Sequence, residues 1–367
     1  MKFCVIGAGN GGRALSAYLS SKGYPVNLYN RSFTRIVEIK KKGGIKASGE
    51  IKGYYPCNLI TQDLELAVRD ADVILVVIPA SAHKYIAEKI AQYLSHDQII
   101  LLNPGRTFGA FEFRRIIEQK GISFPIFIAE TQTLVFTSRQ LKKNGVKILK
   151  IKDVVDFAAF PDTDTFFVYD TLRDIFPQLN PVDDYLEMTL NNIGMLLHPT
   201  ISLLNAGAMD SGISFKFYAE GATSRTCEVL EKIQTEMNKI FEILRLKQIR
   251  FCDWASKSYG VKKKSIYKAI KKIEAYENIS APKKVITRYF TEDIPTGLVP
   301  ISSLAKFLGI ETPIIDSVIN LSSILCGIDF MNKGRTVQGL ELERLIESRI
   351  ATDELIDIGT EQEIKVS

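Results

Sequence analysis

The sequence predicts an α/β domain with a parallel sheet, followed by a mostly α-helical domain. The chain has 367 residues, and one domain per about 150 residues gives two domains. Short apolar strands alternate with helical segments up to about residue 181, and helical patterns take over afterwards. We therefore place the first domain at 1–182 and the second at 183–350. The stretch 351–367 has no apolar stripe, and we expect it to fray.

Composition excludes several classes of protein. Apolar residues make up 46% and charged residues 24% of the chain, which is typical of folded globular proteins. No apolar run reaches the roughly 18 residues that cross a bilayer, and no signal peptide is recognisable, so we expect a cytoplasmic protein without a membrane partner. The five scattered cysteines and three histidines predict neither disulfides nor a metal site. A net charge of +5 does not by itself indicate a nucleic-acid partner.

The chain opens with a buried strand, Lys2–Gly7, and a glycine-rich turn. A helical pattern follows from Arg13, and a second strand is predicted at Tyr24–Asn30. This order is the context that a Rossmann-type Gly-x-Gly-x-x-Gly fingerprint requires. Its glycines permit a tight turn and the close approach of a pyrophosphate, which the helix N-terminus then faces. We assign dinucleotide binding here to Gly7, Gly9, Asn10, Gly11 and Gly12.

The end of the second strand indicates which dinucleotide binds. An acidic residue there would accept hydrogen bonds from the ribose 2′-hydroxyl and repel a 2′-phosphate. Instead the strand ends in Asn30-Arg31-Ser32, and the next acidic residue is Glu38. Because Arg31 can pair with a phosphate and both neighbours can hydrogen-bond to it, NADP(H) is favoured over NAD(H). The alternative is that Arg31 is a solvated loop cation.

The α/β pattern continues with a hairpin inserted at Gly43–Tyr55. We predict helices at Leu64–Asp70 and Ser81–Leu94, and strands at Val73–Ile78, Ile99–Asn103 and Ile126–Ala129. Ligands of such sheets bind where the strands end. Pro79, Asn103 and Gly105 follow two of these strands and are assigned to the cofactor. Gln132 follows the third, where it either borders the substrate or belongs to a plain loop.

The second half of the chain is predicted to consist of helices. They span Tyr185–Leu196, Ser214–Leu244, Lys262–Tyr276, Ile301–Leu308 and Thr312–Cys326. The long helix at 214–244 suits packing within one chain or between two, so a homodimer is an open alternative. A run of lysines between Lys262 and Lys272 predicts a solvated helix face, or a patch that steers an anionic substrate.

Two segments of this helical half contain polar residues suited to catalysis. His198 lies in an apolar helical run directly before a proline, whereas Arg288 and Asp293 lie in a loop interrupted by prolines and a glycine. A lone histidine on an apolar face is usually a packed core residue. A carboxylate, however, can fix its tautomer and stabilise its charged form, and we hypothesise that Asp293 does so.

These residues belong to a wider pattern: the chain resembles the octopine/nopaline dehydrogenase family, the opine dehydrogenases, over nearly its full length. The matching stretches are Gly7–Gly12, Asn103–Thr107, Glu130–Thr133, His198-Pro199, Asp253-Trp254, Tyr259-Gly260 and Arg288–Pro300. The resemblance implies that a 2-oxo acid is reductively condensed with the amine of an amino acid, and that the product can be oxidised back. It also implies that His198 is the acid/base group, that Asp293 orients it and that Arg288 clamps the carboxylate of the 2-oxo acid.

One position departs from the family pattern. Family members often carry an asparagine one helical turn before the histidine, where this chain has Gly194. Asn191, seven residues before His198, would face the same side of a continuous helix, and we assign it to substrate binding. The glycine predicts a substrate pocket that differs from that of its relatives. Trp254 either lines that pocket or belongs to the core.

Two other functions stay open. A keto reductase of the ketopantoate or glycerol-3-phosphate kind would reduce its ketone without an amine, and such relatives use a catalytic lysine. A non-catalytic NADP-binding sensor would bind the dinucleotide without needing His198. The identities of the 2-oxo acid and the amine depend on pocket shape, which the sequence does not show.

Overall fold

The computed structural model describes residues 1–351, so the predicted tail at 351–367 lies outside the described residues apart from residue 351. The α/β domain followed by a helical domain is confirmed. Within the described range the strands are β1 (Phe3–Ile6), β2 (Val26–Tyr29), β3 (Gly44–Gly49), β4 (Gly53–Pro56), β5 (Leu59–Thr61), β6 (Val73–Val76), β7 (Ile99–Leu102), β8 (Phe127–Thr131), β9 (Phe136–Gln140), β10 (Gly145–Ile151), β11 (Val155–Ala159) and β12 (Leu179–Pro181).

Helices of the first domain flank these strands, and helices alone build the second. They are α1 (Asn10–Ser21), α2 (Phe33–Lys42), α3 (Leu64–Val68), α4 (His83–Ile90), α5 (Gly109–Gln119), α6 (Thr165–Leu172), α7 (Tyr185–Leu190), α8 (Ile193–Leu204), α9 (Ala206–Asp210), α10 (Ser224–Ile243), α11 (Phe251–Tyr259), α12 (Ile266–Ile270), α13 (Glu274–Glu277), α14 (Arg288–Thr291), α15 (Val299–Phe307), α16 (Pro313–Cys326), α17 (Phe330–Lys333) and α18 (Val337–Leu340). A π-helical turn spans Ile294–Leu298, and residues 343–351 are also helical.

The main sheet contains eight strands in the order β12-β11-β8-β7-β6-β1-β2-β5. Its neighbouring strands are parallel except β8 and β11. The register pairs Ile6 of β1 with Tyr29 of β2 and with Val76 of β6. The loops after these three strands therefore leave the sheet at one edge, which is where ligands of such sheets bind.

A second, four-stranded sheet packs beside the first in the order β4-β3-β10-β9. Its β3 and β4 pair antiparallel, which confirms the inserted hairpin. The partner strand β10 had no counterpart among the predicted strands, and neither did β5, β9, β11 or β12. In β10 the buried Val146 and Ile148 alternate with the exposed Lys147 and Leu149. This alternation is a sequence signal for a strand, but three basic or polar neighbours make it weak.

Three predicted helices differ from the observed ones. The segment predicted at 185–196 is broken, because the Asn192 side chain accepts hydrogen bonds from the Gly194 and Met195 N–H groups and so caps a new helix, α8. The segment predicted from residue 214 becomes helical only at Ser224, after the Thr223 cap. The lysine-rich segment at 262–276 forms two short helices, α12 and α13, and its lysines are exposed as predicted.

Helix α10 forms the centre of the helical domain, packing on α8 and α16. The side chains of Leu230, Ile233 and Ile240 are fully buried, so this chain itself covers the apolar face of the long helix. The homodimer stays an untested alternative. No single helix in residues 1–351 is long and apolar enough to span a membrane, although the bent pair Pro313–Cys326 and Phe330–Leu340 has the necessary length and composition.

A buried carboxylate joins α10 to α16. Glu236 accepts hydrogen bonds from the N–H groups of Ile314 and Ile315 at distances of 2.8 and 3.0 Å. These groups belong to the first turn of α16, where a negative charge also complements the helix dipole. Glu236 therefore replaces a conventional side-chain cap, which α16 lacks.

We expect Glu236→Ala to lower the free energy of unfolding by about 1–3 kcal/mol, because two buried donors lose a charged acceptor. Chemical denaturation followed by circular dichroism measures this change. Glu228→Ala is the control: the same residue type lies on the same helix but is exposed, with a side-chain pair to Arg225 only. We expect the control to change stability by less than about 0.5 kcal/mol. Equal effects of the two substitutions would contradict the capping role.

Candidate active site

A cleft of about 580 Å³ lies between the carboxyl edge of the main sheet and the helical domain. Its walls include the glycine turn, the ends of β2, β6 and β7, segment 133–140 and helix α8. Most of the residues assigned to the cofactor and to catalysis line it. These are Gly7, Gly9, Asn10, Gly11, Asn30, Arg31, Ser32, Pro79, Asn103, His198 and Arg288.

The glycine turn has the geometry that a bound pyrophosphate requires. Gly7 has a φ of +114°, and a Cβ there would lie 2.4 Å from the Val77 carbonyl oxygen. A Cβ on Gly12 would lie 1.7 Å from the Gly7 carbonyl oxygen, so this glycine serves packing beneath the cleft. Around Gly9 nothing lies within 4 Å of the Cβ position. This leaves open backbone beside the start of α1, which has no side-chain cap.

The residues after β2 divide into two groups. The Asn30 side chain holds the glycine turn, since its oxygen accepts from the Ala8 N–H at 3.0 Å and its nitrogen donates to the Ser32 carbonyl at 2.9 Å. Arg31 is exposed and lies over the Tyr85 ring, 5.6 Å from its centroid. The Ser32 hydroxyl lies 2.8 Å from that of Thr34 and also lines the cleft, so the Arg31 and Ser32 side chains both place donor groups at this end of it.

Two residues assigned to the cofactor from the loop after β7 have different surroundings. Asn103 lines the cleft, and both polar atoms of its buried side chain have no hydrogen-bond partner in residues 1–351. Such atoms fit a bound ligand. Gly105 lies outside the cleft lining, and a Cβ there would lie 2.0 Å from a Glu130 carboxylate oxygen. That oxygen accepts from the Ala110 N–H at 2.6 Å, so Gly105 serves packing.

The proposed catalytic pair meets within hydrogen-bonding distance. Nδ1 of His198 lies 2.9 Å from Oδ2 of Asp293, although 95 positions separate them in the chain. Asp293 is fully buried, and its Oδ1 lies 3.1 Å from a guanidinium nitrogen of Arg106. Burial by itself raises the pKa of Asp293, but the charges of Arg106 and His198 outweigh it and lower that pKa. The carboxylate is therefore ionised and holds the imidazole.

The other side of the His198 ring faces tyrosines. Its Nε2 lies 2.9 Å from the hydroxyl oxygen of Tyr218, and the Tyr289 ring stacks on it at a centroid distance of 4.5 Å. Burial, followed by the nearby tyrosines, raises the pKa of Tyr218 well above 10, so this hydroxyl keeps its proton. The side chain of His198 is 15% exposed. It is thus a fixed ring with access to the cleft.

Arg106 explains why this chain has a glycine one turn before the histidine. A Cβ on Gly194 would lie 2.1 Å from Nη1 of Arg106. The guanidinium fills that space, pairs with Asp293 and also lies 3.4 Å from Glu292. Arg106 belongs to the family-like stretch Asn103–Thr107, but the sequence alone indicates no role for it. Its role follows from its proximity to Gly194 and Asp293 in the fold.

Gln132 and Asn191, both assigned to substrate binding, lie outside the cleft lining. The Gln132 amide donates to the Asn191 carbonyl at 2.7 Å. The Asn191 side chain donates to two carbonyl groups and accepts from the Ile249 N–H at 2.7 Å. The physical reason is the helix break at Asn192, which removes the continuous spacing between Asn191 and His198. The contacts of both side chains are structural, so neither assignment is supported.

For two further residues of the cleft the sequence offered little guidance: it indicated no role for Lys152 and two alternative environments for Trp254. Lys152 follows β10, is buried, and lines the cleft. Trp254 of α11 also lines it, although the side chain is mostly buried and packs on Phe251. Both predicted environments for this tryptophan, pocket wall and core, therefore apply. Arg288 is exposed at the cleft, and within residues 1–351 no carboxylate forms an ion pair with it.

Comparison with known proteins identifies the family of the chain. A family model for the NAD/NADP octopine/nopaline dehydrogenase alpha-helical domain matches residues 181–326. A second, for the NAD-dependent glycerol-3-phosphate dehydrogenase N-terminus, matches residues 2–107. The opine dehydrogenase of Arthrobacter sp. (strain 1C) is 39% identical over 349 residues, which cover 95% of this chain and 97% of that protein. The octopine dehydrogenase of Pecten maximus is 22% identical, with coverages of 91% and 92%.

Solved structures share the fold. An octopine dehydrogenase solved with NADH and L-arginine has a TM-score of 0.75 at 21% identity, covering 94% of this chain and 96% of that one. A yersinopine dehydrogenase with NADP+ bound has a TM-score of 0.73 at 12% identity, with coverages of 96% and 99%. Both kinds of dinucleotide thus occur among structural neighbours, so the likeness does not choose between them. Because a known opine dehydrogenase is 39% identical over 95% of this chain, the chain belongs to the opine dehydrogenase family. It is therefore an NAD(P)-dependent oxidoreductase acting on CH–NH groups.

Proposed function

We propose that this enzyme is an NADPH-preferring opine dehydrogenase in which His198, held by Asp293, is the acid/base group for condensing a 2-oxo acid with the amine of an amino acid. The observation that carries the proposal is the chain of contacts from Arg106 through Asp293 to His198. It ends in the cleft that the glycine turn also lines. A nucleotide-binding sensor without turnover would have no need of this buried ion-paired histidine.

The condensation requires proton transfers at nitrogen and at oxygen, and one histidine can perform both. Formation of the carbinolamine moves one proton from the amine nitrogen to the former carbonyl oxygen, and loss of that oxygen as water needs a second proton, which leaves a protonated carbon–nitrogen double bond. His198 passes on the first proton and, protonated again from solvent, donates the second. With Nδ1 donating to Asp293, the proton-transferring atom is Nε2, which the Tyr218 hydroxyl contacts at 2.9 Å. That hydroxyl extends the path toward the cleft. When bound, NADPH supplies the hydride that reduces the resulting carbon–nitrogen double bond.

Arg288 supplies the carboxylate clamp in this proposal. It lies at the first position of α14 and faces the cleft from the segment that also contains Asp293. A guanidinium without an ion-pair partner in the described chain is free to form a bidentate pair with a carboxylate. Placing the 2-oxo acid here brings its keto carbon to the same end of the cleft as His198.

The preference for NADPH is supported by the charge at the end of β2. Arg31, Ser32 and Arg35 line the cleft there and are exposed. No acidic side chain is among the residues that line the cleft at this end. A 2′-phosphate would therefore meet donors and positive charge, whereas a 2′-hydroxyl would meet no carboxylate acceptor.

A keto reductase without an amine substrate is the second candidate, since Lys152 supplies the cleft with a lysine of the kind that such enzymes use. Oxidation of NADPH by the purified enzyme, measured with pyruvate or 2-oxoglutarate and a panel of amino acids, separates the two. Consumption that depends on the amine supports the opine activity. Equal consumption without any amine would support the keto reductase instead.

We expect His198→Asn and Asp293→Asn each to lower kcat for amine-dependent turnover by about 10²–10⁴-fold, the usual size of a general acid/base contribution. Binding of NADPH, measured by its fluorescence, is expected to stay within about twofold of wild type. Asp210→Asn, an exposed change in the same domain, is the control and should leave kcat unchanged. Retention of wild-type kcat in His198→Asn would refute the assignment.

Arg31→Ala is expected to weaken NADPH binding by about tenfold or more and to leave NADH binding unchanged, because only NADPH has a 2′-phosphate, which would lose a charged hydrogen bond. Equilibrium titration with each dinucleotide measures both constants. Lys41→Ala, an exposed cation on the helix that follows, is the matched control. A wild-type enzyme that binds NADH more tightly than NADPH would show the preference to be wrong.

A further inference from the structure

Lys152 is a buried cation in the cleft that the proposed mechanism does not use. The residue is only 6% exposed. Its Nζ donates to the Thr133 hydroxyl at 2.6 Å and lies 5.6 Å from the centre of the Trp254 ring. All three residues line the cleft. The ammonium group therefore lies where a ligand can reach it.

The contacts of Lys152 leave its charge without a counter-ion. Within residues 1–351 no carboxylate forms an ion pair with it, whereas the buried Arg106 pairs with Asp293 and Glu292, and the buried Arg335 pairs with Glu112. Burial, followed by the positive charge of Arg106, lowers the pKa of Lys152 to about 7. A buried ammonium without an anion is costly. In a closed core, an apolar side chain at this position would avoid that cost. In the wall of a ligand site, the bound ligand can supply the anion instead.

Five cations that line the cleft form no ion pair with a carboxylate in residues 1–351, namely Arg31, Arg35, Arg139, Lys152 and Arg288. Arg31 and Arg35 lie at the β2 end, and of the other three only Lys152 is buried. The product of an opine dehydrogenase is a secondary amine with two carboxylates, one from each substrate. Arg288 takes that of the 2-oxo acid in the proposed function. The buried Lys152 then remains as a cation for the carboxylate of the amine substrate.

Resting on the proposed function, we infer that Lys152 binds a carboxylate of the amine substrate and thereby selects amino acids over uncharged amines. Thr133 fixes the position of the ammonium group. The Trp254 ring forms an apolar wall beside this group and stabilises its positive charge when no ligand is bound. Lys152 is here a specificity-determining residue, since the proton transfers belong to His198. The α-carboxylate and a side-chain carboxylate are the two sources of this anion, and the amine panel distinguishes them.

The kinetic test compares amines that differ by one carboxylate. Alanine and ethylamine differ only in the α-carboxylate, and aspartate and alanine differ only in the side-chain carboxylate. We expect Lys152→Met to lower kcat/KM by about 10- to 100-fold for the amine that carries the bound carboxylate, because its KM rises. The kcat/KM of the amine without that carboxylate and the KM of the 2-oxo acid should stay unchanged. Lys152→Arg keeps the charge and should keep most of the discrimination. Lys147→Met, an exposed lysine on β10, is the matched control.

A binding test does not depend on turnover. Trp254 is the only tryptophan of the chain and lies beside Lys152, so its fluorescence reports ligands at this wall. Iminodiacetate, a secondary amine with two carboxylates, is expected to change the emission and to bind about tenfold or more weakly to Lys152→Met. N-methylglycine has one carboxylate and should bind both proteins equally, through Arg288.

The outcomes separate the two proposals. Lysine-dependent binding of iminodiacetate without turnover of any amine would leave the anion site standing and refute the opine activity. Normal amine-dependent turnover whose selectivity is the same in wild type and Lys152→Met would refute the anion site alone. An equal loss of kcat for every amine would show that Lys152 is catalytic, and weaker NADPH binding would show a cofactor contact. Either result overturns the inference, as does loss of discrimination in Lys152→Arg.

Discussion

The geometry of the site depends on one buried ion pair, between Arg106 and Asp293. The aspartate is enclosed by protein, and without the guanidinium 3.1 Å away its burial would favour the protonated form. With it, the carboxylate stays charged and accepts from Nδ1 of His198. Nε2 is then the nitrogen that faces Tyr218 and the cleft. A charge held out of reach of solvent thus fixes the orientation of the histidine, and in the proposed function it determines which nitrogen transfers the proton.

The fold holds this pair together by fastening three distant segments. The Thr107 N–H donates to the Thr296 carbonyl at 3.0 Å, which ties the loop after β7 to the π-helical turn after Asp293. The Asn192 amide donates to the Thr107 hydroxyl at 3.2 Å, which ties the same loop to the start of α8. Gly297 and Gly194 remove the side chains that would keep these segments apart. Irregular π-helical geometry at this point is consistent with a site that function constrains.

Local patterns predicted what local physics determines. The glycine turn and five strands of the main sheet, β1, β2, β6, β7 and β8, follow from spacing and residue chemistry. The His198–Asp293 pairing was a hypothesis from residue chemistry, to which the family resemblance added the roles. Lys152, Tyr218 and Arg106 could not be predicted in the same way, because their roles depend on tertiary neighbours from other segments. Asn191 shows the opposite case: its helical spacing to His198 was sound, but the cap formed by Asn192 interrupts the helix. A capping residue inside an apolar helical run was the signal that would have corrected it.

The most direct test of the central claim is the protonation state of the imidazole nitrogens of His198. The chain contains three histidines, so long-range proton–nitrogen NMR correlation on protein labelled with nitrogen-15 in histidine resolves each ring. In the neutral ring the account predicts a proton on Nδ1, which changes its resonance when Asp293→Asn removes the charged acceptor. A proton on Nε2 of neutral His198, with a spectrum indifferent to that substitution, would contradict the account.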